Sequence, residues 1–500
     1  MKRDGIDLAL INPGGRTSIY QGLGSNLSAI EPPVWAGLIA TYLRLQGFSI
    51  AILDANAEDL CPEEVVDRIK TISPLLTAVV VYGQNPSAST QGMQSAGAIC
   101  TAIKQWDSGA KTLLVGGHVA ALPEQTLREE AADFVCDGEG PVTIMELLHH
   151  LRGDGRPLNS ICGLLYSTGG NVVHTSPAPL VTDLDKEMPG IAWDLLPMDR
   201  YRAHNWHCFN GVERTPYAAL YTSLGCPCRC SFCCIQAPFK RGEAVSGFGR
   251  DINSYRLWSP QAVMAEIDIL VNRYGVKNIK FADELFILKP DHYEEICDLI
   301  IQRGYDLNIW AYARVDTLNE AALAKLKQAG VSWIALGIES ASSRVRDAVA
   351  KGIDRNKIVD AVSKIRQAGI NIGANYIFGL PEDDLASMQE TLDLAMELNT
   401  EWANFNCAMA YPGSQLYREA VREGWQLPET WSGYSQYSFD SLPLPTRHLS
   451  AAEVLRFRDT AFLAYFSNPR YRSLIGQKFG TQALEHIKTM TQQQLKRKFA

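Results

Sequence analysis

Short apolar runs alternate with stretches of helical period through the first 150 or so residues. Ile6 to Asn12 is a continuous apolar strand pattern closed by Pro13-Gly14-Gly15, and a helix follows from Val34 to Gln46. Ser49–Asp54, Ala78–Gly83, Thr112–Val115 and Phe134–Asp137 repeat the strand pattern, with helices over 63–71 and 96–106 between the first three and another over 142–151 after the last. Near-continuous Val/Ile/Leu runs alternating with helices predict a parallel sheet covered by helices. Five strands in this alternation predict an α/β domain of the doubly wound, flavodoxin-like kind over residues 1–151.

Residues 152–215 break the pattern. They are rich in Gly, Pro and polar residues, carry a hairpin signal around Gly169-Gly170-Asn171, and read as a connector that packs on both flanking domains. A second βα series begins at Tyr217. Strands are predicted at 218–223, 278–282, 308–314, 333–338, 371–378 and 402–408, with a helix after each of the first five and further helical pattern between. Six βα units over 216–442 predict a partial (βα)6 barrel rather than a complete eightfold one. Residues 443–500 are predicted helical. From Arg447 they hold ten Lys/Arg against three acids, in a chain whose net charge is −8. That contrast predicts a helical cap docked on an acidic body, with contact to an anionic substrate or membrane surface as the alternative.

The chain has 500 residues, of which 46% are hydrophobic and 20% charged. This is the composition of a globular protein of two or three domains. The acidic balance argues against nucleic-acid partners, which require phosphate neutralisation. No apolar run is long enough to span a bilayer, and the N-terminal residues lack the pattern of a signal peptide, so a cytoplasmic location is expected. The twelve cysteines should then be reduced thiols or ligands, and five of them, Cys226, Cys228, Cys230, Cys233 and Cys234, lie within nine residues.

Cys226, Cys230 and Cys233 form CxxxCxxC at the end of the barrel's first predicted strand, with Phe232 before the third cysteine. Three thiolates on a tight loop suit a [4Fe–4S] cluster whose fourth iron stays open, and barrel strands place active sites at this end. A structural zinc site is the alternative, although such sites usually take four ligands in two pairs. Cys228 and Cys234 are extra to the spacing.

This motif resembles that of the radical S-adenosylmethionine (SAM) superfamily. The resemblance implies that Cys226, Cys230 and Cys233 hold the cluster, that SAM binds its open iron and that Phe232 contributes to the SAM site. Gly337-Ile338-Glu339-Ser340 is similar to the superfamily's SAM-binding segment, which implies that Glu339 contacts SAM. Asp283 and Glu284 stand where the SAM amino group is held, and Arg314 where its carboxylate could be paired. Gly379-Leu380-Pro381-Glu382 resembles a "GLPGE" turn in which Asp383 replaces the second Gly.

The front domain, with Pro32-Pro33, Gly116-Gly117-His118 and Gly138-Glu139-Gly140, is similar to the cobalamin-binding domain fused to many radical SAM enzymes. Open α/β sheets bind large ligands beyond the carboxyl ends of their strands, where these loops fall. Cobalamin contacts are therefore expected from Gly116, Gly117, His118, Gly138, Glu139 and Gly140. The Asp-x-His-x-x-Gly signature of His-ligated cobalt is missing, so no histidine ligand to cobalt is expected. The fusion implies a cobalamin-dependent radical SAM enzyme that methylates an unactivated carbon of a small-molecule or natural-product substrate. It also implies an external electron donor of flavodoxin or ferredoxin type. A radical cyclase like the anaerobic magnesium-protoporphyrin ester cyclase family, and a non-catalytic cobalamin sensor, are the alternatives.

Overall fold

The computed structural model describes residues 5–24, 27–249 and 251–499. Strands β1 (Leu8–Asn12), β2 (Ile50–Asp54), β3 (Leu76–Val81), β4 (Thr112–Gly116) and β5 (Phe134–Cys136) form a parallel sheet in the order 2-1-3-4-5. This is the flavodoxin-like order, with its switch point between β1 and β3. Runs such as Leu76–Val81 are buried along their whole length because helices cover both faces. The helix expected over 96–106 starts ten residues earlier, at Pro86. Its first half is a Ser- and Gln-rich stretch with weak hydrophobic periodicity, but the Asn85 side chain caps it by accepting from Ala88 N–H.

The hairpin of the connector, β6 (Leu164–Thr168) and β7 (Asn171–His174), pairs antiparallel to β5 and extends the front sheet to seven strands. The rest of the connector runs on to the second sheet. There β8 (Tyr217–Leu220) ends earlier than its apolar run suggests. The chain turns out at Tyr221-Thr222, and β9 (Ser223–Leu224) pairs antiparallel with β10 (Arg256–Leu257).

The remaining strands are β11 (Asn278–Phe281), β12 (Asn308–Arg314), β13 (Val331–Glu339), β14 (Asn371–Phe378) and β15 (Trp402–Cys407). With β8 they form one parallel sheet in the order 15-14-13-12-11-8, so β15 and β8 do not meet. The barrel is partial, as its six βα units require. Its outer face is fully buried, whereas Tyr312, Arg314, Gly337, Asn375, Ile377, Asn404 and Asn406 on the lumen face are half-buried. Alternation of this kind on a sheet covered from outside means that side chains do not fill the upper lumen. A closed eightfold barrel is filled by its own residues. At the amino end of the strands Trp206 closes the lumen, with ring centroids 5.3, 5.0 and 6.1 Å from Trp310, Trp333 and Trp402.

The tail forms helices Ala451–Ser467 and Pro469–Gln492 against β14 and β15. Charge contributes to the docking through Lys478 on Glu401 at 2.7 Å and Arg447 on Glu382 at 2.8 Å. Backbone capture contributes as much: Arg458 Nε donates to the Phe405 carbonyl, and the Tyr465 and Tyr471 hydroxyls donate to those of Thr400 and Glu401. Among the described residues no helix is long and apolar enough to cross a membrane.

Two buried ion pairs lock the front domain onto the barrel. Arg256 of β10 donates to Glu139, after β5, at 2.8 and 3.3 Å, and Lys280 of β11 donates to Glu31 at 2.8 Å. All four side chains are at least nine-tenths buried. Breaking a buried pair leaves an uncompensated charge and costs about 3–5 kcal/mol, whereas an apolar pair of similar volume is often neutral. Denaturant unfolding should therefore show Glu139→Ala much less stable than the parent, and Glu139→Gln with Arg256→Met, which keeps a polar partner for Val181, recovering much of the loss. A double variant as unstable as the single one would contradict this account of the interface.

Candidate functional site

The five-cysteine segment follows β9, at the carboxyl end of the barrel. Asp283 anchors its approach, accepting from Thr222 N–H at 3.0 Å, from Thr222 Oγ1 at 2.8 Å and from the Ser223 hydroxyl. The turn into the loop requires Gly225, which has φ 86° and lies so close to the Ser254 carbonyl that a Cβ would overlap it. A polar network then fixes the loop backbone. Gln236 Oε1 accepts from Cys226 N–H at 3.0 Å, and Asn253 Nδ2 donates to the carbonyls of Cys226 and Cys228 at 3.0 and 2.8 Å. Glu243 ties the two together, accepting from Gln236 Nε2 and from Ser254 N–H, both at 2.8 Å. None of these three residues belongs to a readable motif. Isolated polar residues become legible as anchors only when burial shows that they need partners.

All twelve cysteines are free thiols. Burial raises the pKa of Cys230 and Cys233. The Cys226 thiol donates toward Cys228, which with the positive charge of Arg314 lowers Cys228 to about 6. Arg314 Nη1 lies 3.5 Å from Cys228 Sγ and 3.9 Å from Cys230 Sγ. Lys351 adds a second positive charge acting on both thiols. Thiols on one loop beside two cations suit anionic sulfur ligation, and a bound metal would deprotonate them. Among the described residues no three His, Cys, Asp or Glu side chains are grouped to hold a single metal ion. A cubane makes a different demand, since each thiolate binds its own iron.

Glu339 ends β13 at φ 65°, in the left-handed region that costs a non-glycine residue energy, where the register with β14 shifts. Its carboxylate accepts from Lys351, a buried residue that the sequence reading missed. Gly337 makes room for this pair, because a Cβ there would overlap both Lys351 Nζ and Glu339 Oε1. Phe232 packs among Val345, Val349 and Leu380 beneath the loop.

Two of the expected SAM contacts at this rim already have protein partners. The Asp283 carboxylate accepts from Thr222 and Ser223 and so clamps the loop entry. Arg314 is gripped in a fork by Asp316 at 3.0 and 3.1 Å, and its remaining edge faces the thiols. Glu284 remains available. It is half-buried, makes no hydrogen bond among the described residues, and is raised to about 7 by burial. In the Gly379–Asp383 turn, Asp383 accepts from Gly379 and Leu380 N–H, each at 3.0 Å, and so closes the turn.

The carboxyl ends of β1, β2 and β3 open on a cleft of about 130 Å³, bounded by Asn12, Gly14, Asn56 and Gln84 with Glu31 and His204. The glycine loops lie further along the same sheet edge. Gly138 has a buried backbone, yet a Cβ there would meet no atom within 4 Å, which is the cradle a flat ligand needs. Gly116 instead lets β4 approach the Val81 backbone, and Gly140 clears Val115; Gly117 opens the short helix Gly117–Ala121. His118 and Glu139 both have protein partners. His118 Nδ1 is bonded to Thr90 Oγ1 at 3.1 Å, its ring meets Trp431 edge-on, and burial lowers it to about 3. Glu139 is consumed by Arg256 and by Val181 N–H.

The thiol loop and the front sheet edge face one another. Trp35 stacks on Tyr82 after β3 at 4.2 Å and meets Phe239, just beyond the cysteines, at 6.0 Å. The family model of the radical SAM superfamily matches residues 220–395, and that of the B12 binding domain matches residues 20–148. An uncharacterized methyltransferase of Pyrococcus horikoshii is 29% identical over 466 residues, 93% of each chain. The anaerobic magnesium-protoporphyrin IX monomethyl ester cyclase of Rubrivivax gelatinosus is 28% identical, covering 80% of this chain and 68% of that one. The solved structure of the radical SAM methyltransferase TsrM from Kitasatospora setae shares the fold, with TM-score 0.65 and 17% identity over 93% of this chain and 90% of that one. With a thiol loop at the barrel rim and a doubly wound domain facing it, the chain carries a radical SAM domain preceded by a B12-binding domain.

Proposed function

We propose that the protein is a cobalamin-dependent radical SAM methyltransferase acting on an unactivated carbon of a small molecule, with an external flavodoxin- or ferredoxin-type electron donor. The observation that carries this reading is the opposition, within one chain, of the CxxxCxxC loop and the Gly138 sheet edge across a barrel mouth held by two buried ion pairs. Relatives named as methyltransferases support the group transferred. The cyclase relatives, of comparable identity, favour the second reading, a radical cyclase that leaves no methyl group in its product. Both readings use the same rim.

Cys226, Cys230 and Cys233 would hold the [4Fe–4S] cluster, and Glu339 and Glu284 would orient SAM. When bound, cluster and SAM supply a hydrogen-abstracting radical and cobalamin supplies the methyl group. The protein's own contribution is placement and charge. Arg314 and Lys351 offset the thiolate charge, and Asp283, Gln236, Glu243 and Asn253 fix the loop so that the reacting groups keep their separation.

Anaerobic reconstitution checks the ligand set. Cys226→Ala, Cys230→Ala and Cys233→Ala should each lose the cluster, whereas Cys228→Ala and Cys234→Ala should keep about four irons per chain. Stoichiometric zinc without iron absorption would refute it. Reduced enzyme with SAM should form 5′-deoxyadenosine, and Glu339→Ala should weaken SAM binding by ~1.5–3 kcal/mol, tenfold or more, for each charged hydrogen bond lost. Unchanged affinity would remove Glu339 from the site. Gly138→Leu should purify with little cobalamin while retaining iron, because its side chain fills the cradle. Full cobalamin content in that variant would place the cofactor elsewhere.

A further inference from the structure

The missing contact between β15 and β8 leaves the barrel open along one side, and a second cavity of about 470 Å³ lies at that opening. Its walls come from parts of the chain far apart in sequence. Leu23 belongs to the front domain, Trp206 to the connector, Trp402 to β15, Tyr437 to the segment after the barrel, and Phe462 and Met490 to the two tail helices. Leu463, on the same wall, is 46% exposed, so the cavity presents apolar surface that no described residue covers. A mostly apolar cavity of this size is what a drug-sized ligand requires.

The charged groups of the cavity are already matched. Arg458 donates to the Phe405 carbonyl and to Asp459, at 2.8 and 2.9 Å, and lies over the rings of Tyr437 and Phe462. Asp459 accepts two further bonds from Arg497, at 3.0 and 2.8 Å. Burial lowers His486 to about 4, which keeps it neutral, and Asn205 occupies its Nδ1. A ligand therefore finds mainly rings and aliphatic side chains, with neutral polar groups such as Ser28, Thr491 and Gln493 at the margin, and meets no unpaired charge among the described residues.

The cavity also adjoins the cleft between the front domain and the barrel. Tyr20, Ser28 and His204 line both it and the cleft at the carboxyl ends of β1–β3. Asn404 stands at the boundary with the lumen, accepting from Trp402 Nε1 and donating to Asn375 Oδ1, both at 2.9 Å.

We infer that this cavity binds the uncharged, multi-ring apolar body of the substrate, with the reacting carbon directed past Tyr20, Ser28 and His204 toward the barrel mouth. The assignment of that ligand as substrate rests on the radical SAM methyltransferase reading. The class is a polycyclic or aromatic hydrocarbon framework, as opposed to a free amino acid, a nucleotide or a peptide.

N-phenyl-1-naphthylamine, a neutral three-ring fluorophore, tests the inference on the anaerobically reconstituted full chain. Titration should show saturable fluorescence enhancement with one site per chain. Met490→Arg and Leu463→Glu, which put charge into the cavity, should each weaken binding at least about tenfold while retaining iron and a cooperative unfolding transition. Val421→Glu, at an exposed apolar position outside the cavity, should bind as the parent does. Absence of saturable binding, or binding indifferent to Met490→Arg and Leu463→Glu, overturns the inference. Cobalamin content, measured on the same samples, reports separately on the methyl-transfer reading. Dye binding by protein that retains no cobalamin would sink that reading and leave the cavity's ligand class standing.

Discussion

The buried pair of Glu139 and Arg256 is the constraint on which the rest of the molecule depends. Two domains that each offer an open carboxyl edge could meet in many orientations. A carboxylate and a guanidinium taken out of water can be matched in one. Glu139 follows the last parallel strand of the front sheet, and Arg256 lies on the short strand that also holds the entry to the cysteine loop. Fixing that contact therefore sets the distance between the two cofactor edges. Lys280 and Glu31 repeat the device from inside the barrel, so the orientation is held at two points and cannot pivot about one.

A consequence is that much polar chemistry near the site is structural. Asp283, Glu139 and His118 each look functional by type and place, and each is occupied by protein partners instead. A buried carboxylate left without such partners would be costly, which is why these groups are satisfied. Glu284 and Glu339 differ: one has no hydrogen-bond partner among the described residues, and the other sits on strained backbone beside a lysine. Groups left free or strained at a barrel rim are the ones available to a ligand.

The strands and the cysteine loop were legible in the sequence because both are local. Apolar runs of five or six residues ended by glycine mark Leu8–Asn12 and Thr112–Gly116, and CxxxCxxC needs only eight residues to be read. What escaped the sequence depends on partners far away. Glu139 meets Arg256 across 117 positions, and Asn253 reaches back 27 to hold Cys226. Lys351 is an unremarkable lysine until it lies against Glu339. The early end of β8 was equally hidden, since Tyr221 to Ser223 keep residue types that strands favour, and only pairing with Arg256–Leu257 turns the chain aside.

The most direct test of the account is whether SAM ligates the cluster in this chain. Electron paramagnetic resonance of the reduced, reconstituted protein should show a [4Fe–4S]⁺ signal that changes on adding SAM, with hyperfine coupling to ¹⁵N or ¹⁷O when the methionine end of SAM is labelled. A cluster signal that SAM leaves unchanged, with no coupling to the label, would contradict the assignment of an open iron at the Cys226–Cys233 loop.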